Sequence, residues 1–217
     1  MRRDQVRGKC AASLALSIML LGGCAGRGDI IPVNLAAKPK DGATSNAAVK
    51  SMAGPRVSVV AFEDGRTDRT KMGSRNSIWG GESYFNVPSG SAGEETAQAF
   101  TDYLKRKGWQ VQYSKTVPSS NGDGPDIVLS GKILDLNVDA KGGFGSTDVN
   151  ARSKLAIQAK NRVDDSSITD TVAHSGTYNV FWFEPQDGED ILSEVLEKNF
   201  ERFVLNTKFE DRSLRFR

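Results

Sequence analysis

The stretch Ala151-Arg152-Ser153-Lys154-Leu155-Ala156-Ile157-Gln158-Ala159-Lys160 decides the fold class. Ala151, Ser153, Leu155, Ile157 and Ala159 are small or apolar, while Arg152, Lys154, Gln158 and Lys160 between them are polar. Successive strand side chains point to opposite faces, so a period of two reads as a strand with one buried and one wet face, the pattern of an antiparallel sheet. Its neighbours extend the reading. Upstream, residues 126–138 carry Ile127, Val128, Leu129, Ile133, Leu134 and Leu136, a long strand in which Gly131 is the candidate bulge, and Gly142-Gly143-Phe144-Gly145 makes the turn between the two. Downstream, Asp164-Asp165-Ser166-Ser167 reads as a hairpin turn leading into a partner strand over residues 171–183.

Two helices flank this meander. Before it, Ser91 and Glu94 have capping-box spacing, and Ala92, Thr96, Ala99, Phe100, Tyr103 and Leu104 share one face. Lys105, Arg106 and Lys107 suit the negative end of the helix dipole, and Gly108 sits where a left-handed cap belongs. After it, Ile191, Leu192, Val195, Leu196, Phe200, Phe203 and Val204 line one face of a second helix, introduced by Asp187-Gly188-Glu189-Asp190. Arg56-Val57-Ser58-Val59-Val60-Ala61-Phe62 reads as a buried strand and Trp109-Gln110-Val111-Gln112-Tyr113 as another, ended by the turn-rich residues 118–125. The expected fold is therefore α+β: a mostly antiparallel sheet of about four to five strands with two helices packed on one face, in a single domain over residues 56–217.

The first residues belong to a different category. Arg2, Arg3, Arg7 and Lys9 precede an apolar run over residues 11–21, the order of an export signal, and the run is shorter than the ~20 residues a spanning helix needs. It closes on Leu21-Gly22-Gly23-Cys24, which resembles the bacterial lipobox. That resemblance implies a signal peptide over residues 1–23, cleavage between Gly23 and Cys24, a diacylglyceryl group on the Cys24 thiol and a further acyl chain such as palmitate on its amine. Ala25 after the cysteine implies, by enterobacterial sorting, the outer membrane with the domain facing the periplasm. Residues 24–55 then read as the lipidated N-terminus and a flexible tether, with Ile30-Ile31-Pro32-Val33-Asn34-Leu35 as an extended piece suited to a sheet edge.

Residues 1–23 hold four basic side chains and Asp4, so without them the formal charge falls from +2 to −1. That balance argues against a nucleic-acid partner, which requires a concentrated basic face. Cys10 and Cys24 are the only cysteines, one lost with the signal and one taken by lipid, so the domain folds without disulfides. The single histidine, His174, cannot by itself supply a zinc site or a nucleophile–base pair, and no phosphate, dinucleotide or calcium-loop motif occurs. Neither an enzyme nor a cofactor is implied. A β-barrel porin is excluded by the length and the two amphipathic helices.

The long connection over residues 63–90 is the candidate partner-binding segment, because connections beyond ~15 residues tend to be functional. It carries the alternating charges Asp64, Arg66, Asp68 and Arg69 and the aromatics Trp79, Tyr84 and Phe85; the competing reading makes it an added hairpin or a lid packed on the core. Phe181-Trp182-Phe183 has the same ambiguity, with cover by the second helix or the loop as the plainer outcome. The tail over residues 212–217 reads as a frayed terminus.

The lipobox, Asp64-Gly65-Arg66-Thr67-Asp68, Tyr103-Leu104-Lys105-Arg106-Lys107-Gly108-Trp109, the meander over residues 126–160 and Tyr178-Asn179-Val180 together resemble the YajG family of bacterial lipoproteins. The element order is also similar to the wider set of envelope lipoprotein domains that includes LpoB, CsgG and the N-terminal domain of TolB. The resemblance implies a non-enzymatic binding or assembly module, held in the bilayer through acylated Cys24 and contacting another envelope protein. The alternatives are a self-associating pore or scaffold lipoprotein and, last, an enzyme of envelope glycan or lipid.

Overall fold

The computed structural model describes residues 28–35, 54–119 and 124–217. In chain order the elements are β1 (Ile30–Pro32), β2 (Val57–Val60), β3 (Glu63–Asp64), β4 (Ser74–Asn76), β5 (Glu82–Asn86), α1 (Ala92–Arg106), β6 (Val111–Ser114), β7 (Ile127–Gly142), β8 (Thr147–Asn161), β9 (Ser167–Val180), α2 (Pro185–Asn206), β10 (Thr207–Glu210) and β11 (Ser213–Phe216). The expected signal peptide, its cleavage site and Cys24 lie outside the described residues.

The period-two stretch is the middle of β8, whose odd-numbered side chains are buried and whose even-numbered ones are almost all exposed along its full length. β7, β8 and β9 form the expected antiparallel meander. The size of the sheet departs from expectation. β7 has 16 residues, roughly 50 Å of strand at ~3.3 Å per residue, and its second edge accommodates β2, β3 and β4 one after another, all parallel to it. β6 joins β2 in parallel, β5 joins β4 antiparallel, and β1 joins β5 in parallel. The result is a nine-stranded mixed sheet, which replaces the expected mostly antiparallel sheet of four to five strands. The α+β class and the two helices stand; the added strands are too short for a periodicity to reveal.

Both helices pack on the face formed by the odd-numbered residues of β8. The six positions assigned to one face of α1 are all buried, as are Ile191, Leu192, Val195, Leu196, Phe200 and Phe203 of α2. They meet in an aromatic centre, where the Phe100 ring lies 4.8 Å from Phe200, 5.7 Å from Phe203 and 6.1 Å from Phe62. The Ser91 hydroxyl accepts from the Glu94 N–H, capping α1, and at the other end the Gly108 and Trp109 N–H groups donate to Lys105 O and Leu104 O, the double closure that a left-handed glycine allows. α2 starts earlier than its acidic run suggests, with Pro185 in its first turn and the Asp187 carboxylate accepting from the Glu184 N–H at 2.8 Å.

The bulge in β7 falls at Leu134, between Ile133 and Asp135, and not at Gly131. Gly131 keeps regular pairing and has another purpose: a Cβ there would lie 2.5 Å from the Phe62 ring. The opposite face of the sheet is solvated, with Arg152 of β8 held to Asp135 of β7 at 2.7 Å and an exposed row of Ser and Thr on β9. The tail is ordered rather than frayed. β10 and β11 form a hairpin whose Leu214 is fully buried, and the Asn161 side chain both donates to Leu214 O (3.0 Å) and accepts from its N–H (2.8 Å). At the N-terminal side, β1 takes its place at the sheet edge and Val33 and Leu35 enter the core, so residues 28–35 of the expected tether belong to the folded body.

Candidate functional site: the apolar end of the sheet

Three connections meet where β7 ends: residues 77–81 between β4 and β5, residues 143–146 between β7 and β8, and residues 181–184 between β9 and α2. The register brings them together. Asn76 pairs with both Lys141 and Glu82, and Gly142 pairs with Thr147, which pairs with Val180. The hairpin 77–81 leans on β7 through Gly142, where a Cβ would stand 3.2 Å from the Ile78 nitrogen and 3.3 Å from its Cγ2. The third connection is anchored by Phe183, buried edge-on against Phe85 at 6.0 Å with the Arg75 guanidinium over its ring at 4.7 Å.

With Phe183 turned inward, Phe181 and Trp182 point out, 83% and 78% exposed. Trp79 is 89% exposed, Phe144 fully so, and Ile78 about half. Among the described residues Phe181 and Trp182 lack the expected cover, because α2 begins at Pro185 and runs away from this end, toward Asn199 beside Ser153. An open groove of about 200 Å3 lies among Ile78, Trp79, Gly143, Phe181 and Trp182. Single exposed apolar side chains are ordinary, but five on adjoining loops form the kind of patch that marks an interaction surface. The edge strand reaches the same place: the Gly28 N–H donates to Glu82 O at 2.7 Å, and Gly28 adjoins Ser77, Gly80 and Gly81 of the first loop.

Of the seven residues singled out in the sequence, Trp79 alone belongs to this patch. Phe85 is fully buried in the core and therefore unavailable to a partner. Tyr84 is half-buried, its hydroxyl donating to Glu82 at 3.0 Å and its ring under Lys71 at 4.5 Å. Asp68 accepts from the Thr70 N–H and hydroxyl in a tight turn, with Arg69 exposed beside it. Asp64 and Arg66 form an internal pin: Arg66 is buried, its Nε and Nη2 donate to the two Asp64 oxygens at 2.9 and 2.8 Å, and its Nη1 donates to Lys71 O at 3.1 Å. The segment over residues 63–90 is thus built into the sheet by its strands, leaving its tip as the exposed part. Sequence reasoning passed over Phe144, although a large aromatic amid Gly-Gly-Phe-Gly has no strand to bury it and was a readable signal.

Burial raises the Asp64 pKa, but the Arg66 hydrogen bonds and charge outweigh it, so the carboxyl lies below its usual value. A pKa depressed on folding means that the pin contributes fully above the unfolded value of ~3.9 and is lost as pH falls through the folded one. Arg66→Ala should cost about 2–3 kcal/mol at neutral pH, measured by urea denaturation, with the deficit shrinking below about pH 4. A deficit independent of pH would mean that packing, not the ion pair, is what Arg66 supplies.

His174 is exposed on β9, and among the described residues no group of three or more His, Cys, Asp or Glu could hold a metal ion. Nor is any described helix long and apolar enough to cross a membrane.

No family model matches the chain, and neither does any curated protein. Among solved structures it resembles a Xanthomonas campestris protein of the family model DUF330 (11% identity over 70% of this chain and 82% of that one, TM-score 0.41). It also resembles the PelC dodecamer from Paraburkholderia phytofirmans (16%, 67% and 89%, TM-score 0.35) and lipoprotein GNA1162 from Neisseria meningitidis (9%, 69% and 99%, TM-score 0.27). Likenesses of this extent assign neither a family nor a function.

Proposed function

We propose that this protein is a lipid-anchored module of the bacterial envelope, attached through Cys24 to the outer membrane with its domain in the periplasm, and that it engages another envelope component through the apolar end of its sheet without catalysing a reaction. The observation that carries the reading is the set of five exposed apolar side chains on three adjoining loops. Patches of this kind exchange water for a partner, whereas a catalytic site calls for convergent ionisable groups in a pocket. The lipobox-like Leu21-Gly22-Gly23-Cys24, Ala25 and the YajG-like motifs support the location.

The test is photocrosslinking in intact cells. A photoreactive phenylalanine analogue at Phe144 or Phe181 should form adducts with envelope protein or phospholipid, and the same analogue at Lys154 on the solvated face should form none. Adducts from Lys154 alone would move the site elsewhere. Cys24→Ser should shift the protein from the membrane to the soluble fraction; persistence in the membrane would remove the lipid anchor from the account.

One observation favours a second reading, self-association through sheet edges. Among the described residues β9, with 14 residues, pairs only with β8, and an open strand edge is a template for another chain. Sedimentation of the detergent-solubilised lipoprotein as a strict monomer at all concentrations would dismiss it.

A further inference from the structure

We infer that the occupant of the apolar end is the membrane surface itself, so that Ile78, Trp79, Phe144, Phe181 and Trp182 sit at the boundary between headgroups and acyl chains of the bilayer that holds Cys24. This rests on the lipid-anchored reading above and specifies what its site touches.

The argument begins with where the chain leaves the sheet. β1 runs parallel to β5, and β5 runs away from the loop at residues 77–81, so the N-terminal end of β1, at Gly28, faces that loop. Gly28 is bonded to Glu82, in the last paired row before the end. Cys24 is four residues earlier, and four Cα–Cα steps span at most about 15 Å whatever path they take. Acyl chains on Cys24 therefore bring the bilayer to the end of the sheet that carries the exposed aromatics and hold it away from the other end, roughly 50 Å distant along β7.

The side chains are of the type that position favours. Tryptophan and other aromatics concentrate at membrane–water interfaces, where an apolar ring meets a wet polar edge. A lipid anchor makes their contact with the bilayer an intramolecular event, so weak insertion by each loop suffices. A protein partner would have to enter the narrow space between the bilayer and these loops. The resulting orientation is end-on, with the polar face of β8 and β9 turned to the periplasm.

The protein supplies its own probes, since its three tryptophans are Trp79 and Trp182 at this end and Trp109, packed at a tilt against Phe209 at 4.5 Å near the opposite end. The acylated protein would be reconstituted into vesicles of phosphatidylethanolamine and phosphatidylglycerol, with and without dibrominated acyl chains, which quench indoles by contact. The Trp109→Phe variant, reporting only the end, should lose at least about half its emission to brominated lipid, and a Trp79→Phe/Trp182→Phe variant, reporting only Trp109, less than about a tenth. Unquenched end tryptophans would overturn the inference, as would quenching equal to that of Trp109 or an emission shift that tracks protein concentration and not lipid, the mark of a second copy on the patch. Mass measurement of Cys24 separates the two levels. An unacylated cysteine defeats the anchored reading, whereas acylated protein with unquenched Trp79 and Trp182 defeats this inference alone.

Discussion

Phe100→Ala is expected to lower the stability of the domain by about 3–5 kcal/mol, the range for truncating a large aromatic in a closed core. Phe100 is fully buried on α1, and its ring contacts Phe62 from the connection between β2 and β3 and Phe200 and Phe203 from α2. Its removal leaves a void that two separate segments, the β2–β3 connection and α2, must close at once. They are poorly able to do so, because Phe62 is held against Gly131 on β7, where there is no room for even a methyl group. Against a typical total of ~5–15 kcal/mol, the loss is a large fraction. In urea it corresponds to a midpoint lower by on the order of 1–3 M at unchanged slope. A loss under about 1 kcal/mol would show that the aromatic centre is not closely packed. A rotamer-compatible Phe100→Leu change should recover part of the deficit.

The second large effect concerns backbone. Gly73 has φ +127°, a value that side chains rarely tolerate, and a Cβ on it would lie 2.0 Å from Val138 O. The contact is close because the chain is stitched here on both sides. The Phe85 N–H donates to Gly73 O, the Met72 N–H to Phe85 O and the Val138 N–H to Met72 O, at 3.1, 2.7 and 2.7 Å. Gly73→Ala must push the β4–β5 hairpin off β7 or break this stitching, at a cost of roughly 2–4 kcal/mol. Gly80, in the loop of the same hairpin, is the control: its φ is +76°, but nothing lies within 4 Å of an added Cβ. Gly80→Ala should therefore cost only about 1 kcal/mol of backbone strain. Thermal denaturation of the two variants distinguishes close approach from conformational preference. Equal losses would mean that the Val138 contact relaxes freely. If the hairpin detaches in Gly73→Ala, Trp79 should also lose its lipid quenching while Trp182 retains it.

Much of the architecture was legible because it repeats locally. The buried positions of α1 and α2 follow from spacing along one helix, and the strict alternation of β8 follows from the pleat, so each could be read within about fifteen residues. β3 and β4, with two and three residues, contain no period at all. They are strands because β7 is long enough to offer them an edge. The bulge at Leu134 escaped for a related reason: glycine was the local signal, whereas the register shift is set by the pairing of β7 with β8, and Gly131 answers to Phe62.

The candidate site divides along the same line. Sequence by itself determined that residues 63–90 carry large aromatics, that Phe181-Trp182-Phe183 follows a strand, and that a lipobox-like motif precedes Gly28 by four residues. Only the tertiary structure decided that Phe85 and Phe183 fill the core while Trp79, Phe144, Phe181 and Trp182 do not. Exposure depends on what lies opposite a side chain, and here Phe183 lies against Phe85 and β4 lies beside β7, contacts between segments far apart in the chain. The meeting of three loops with the start of the edge strand at one end of the sheet likewise depends on the pairing of β4 with β7 and of β1 with β5, which joins segments distant in the chain.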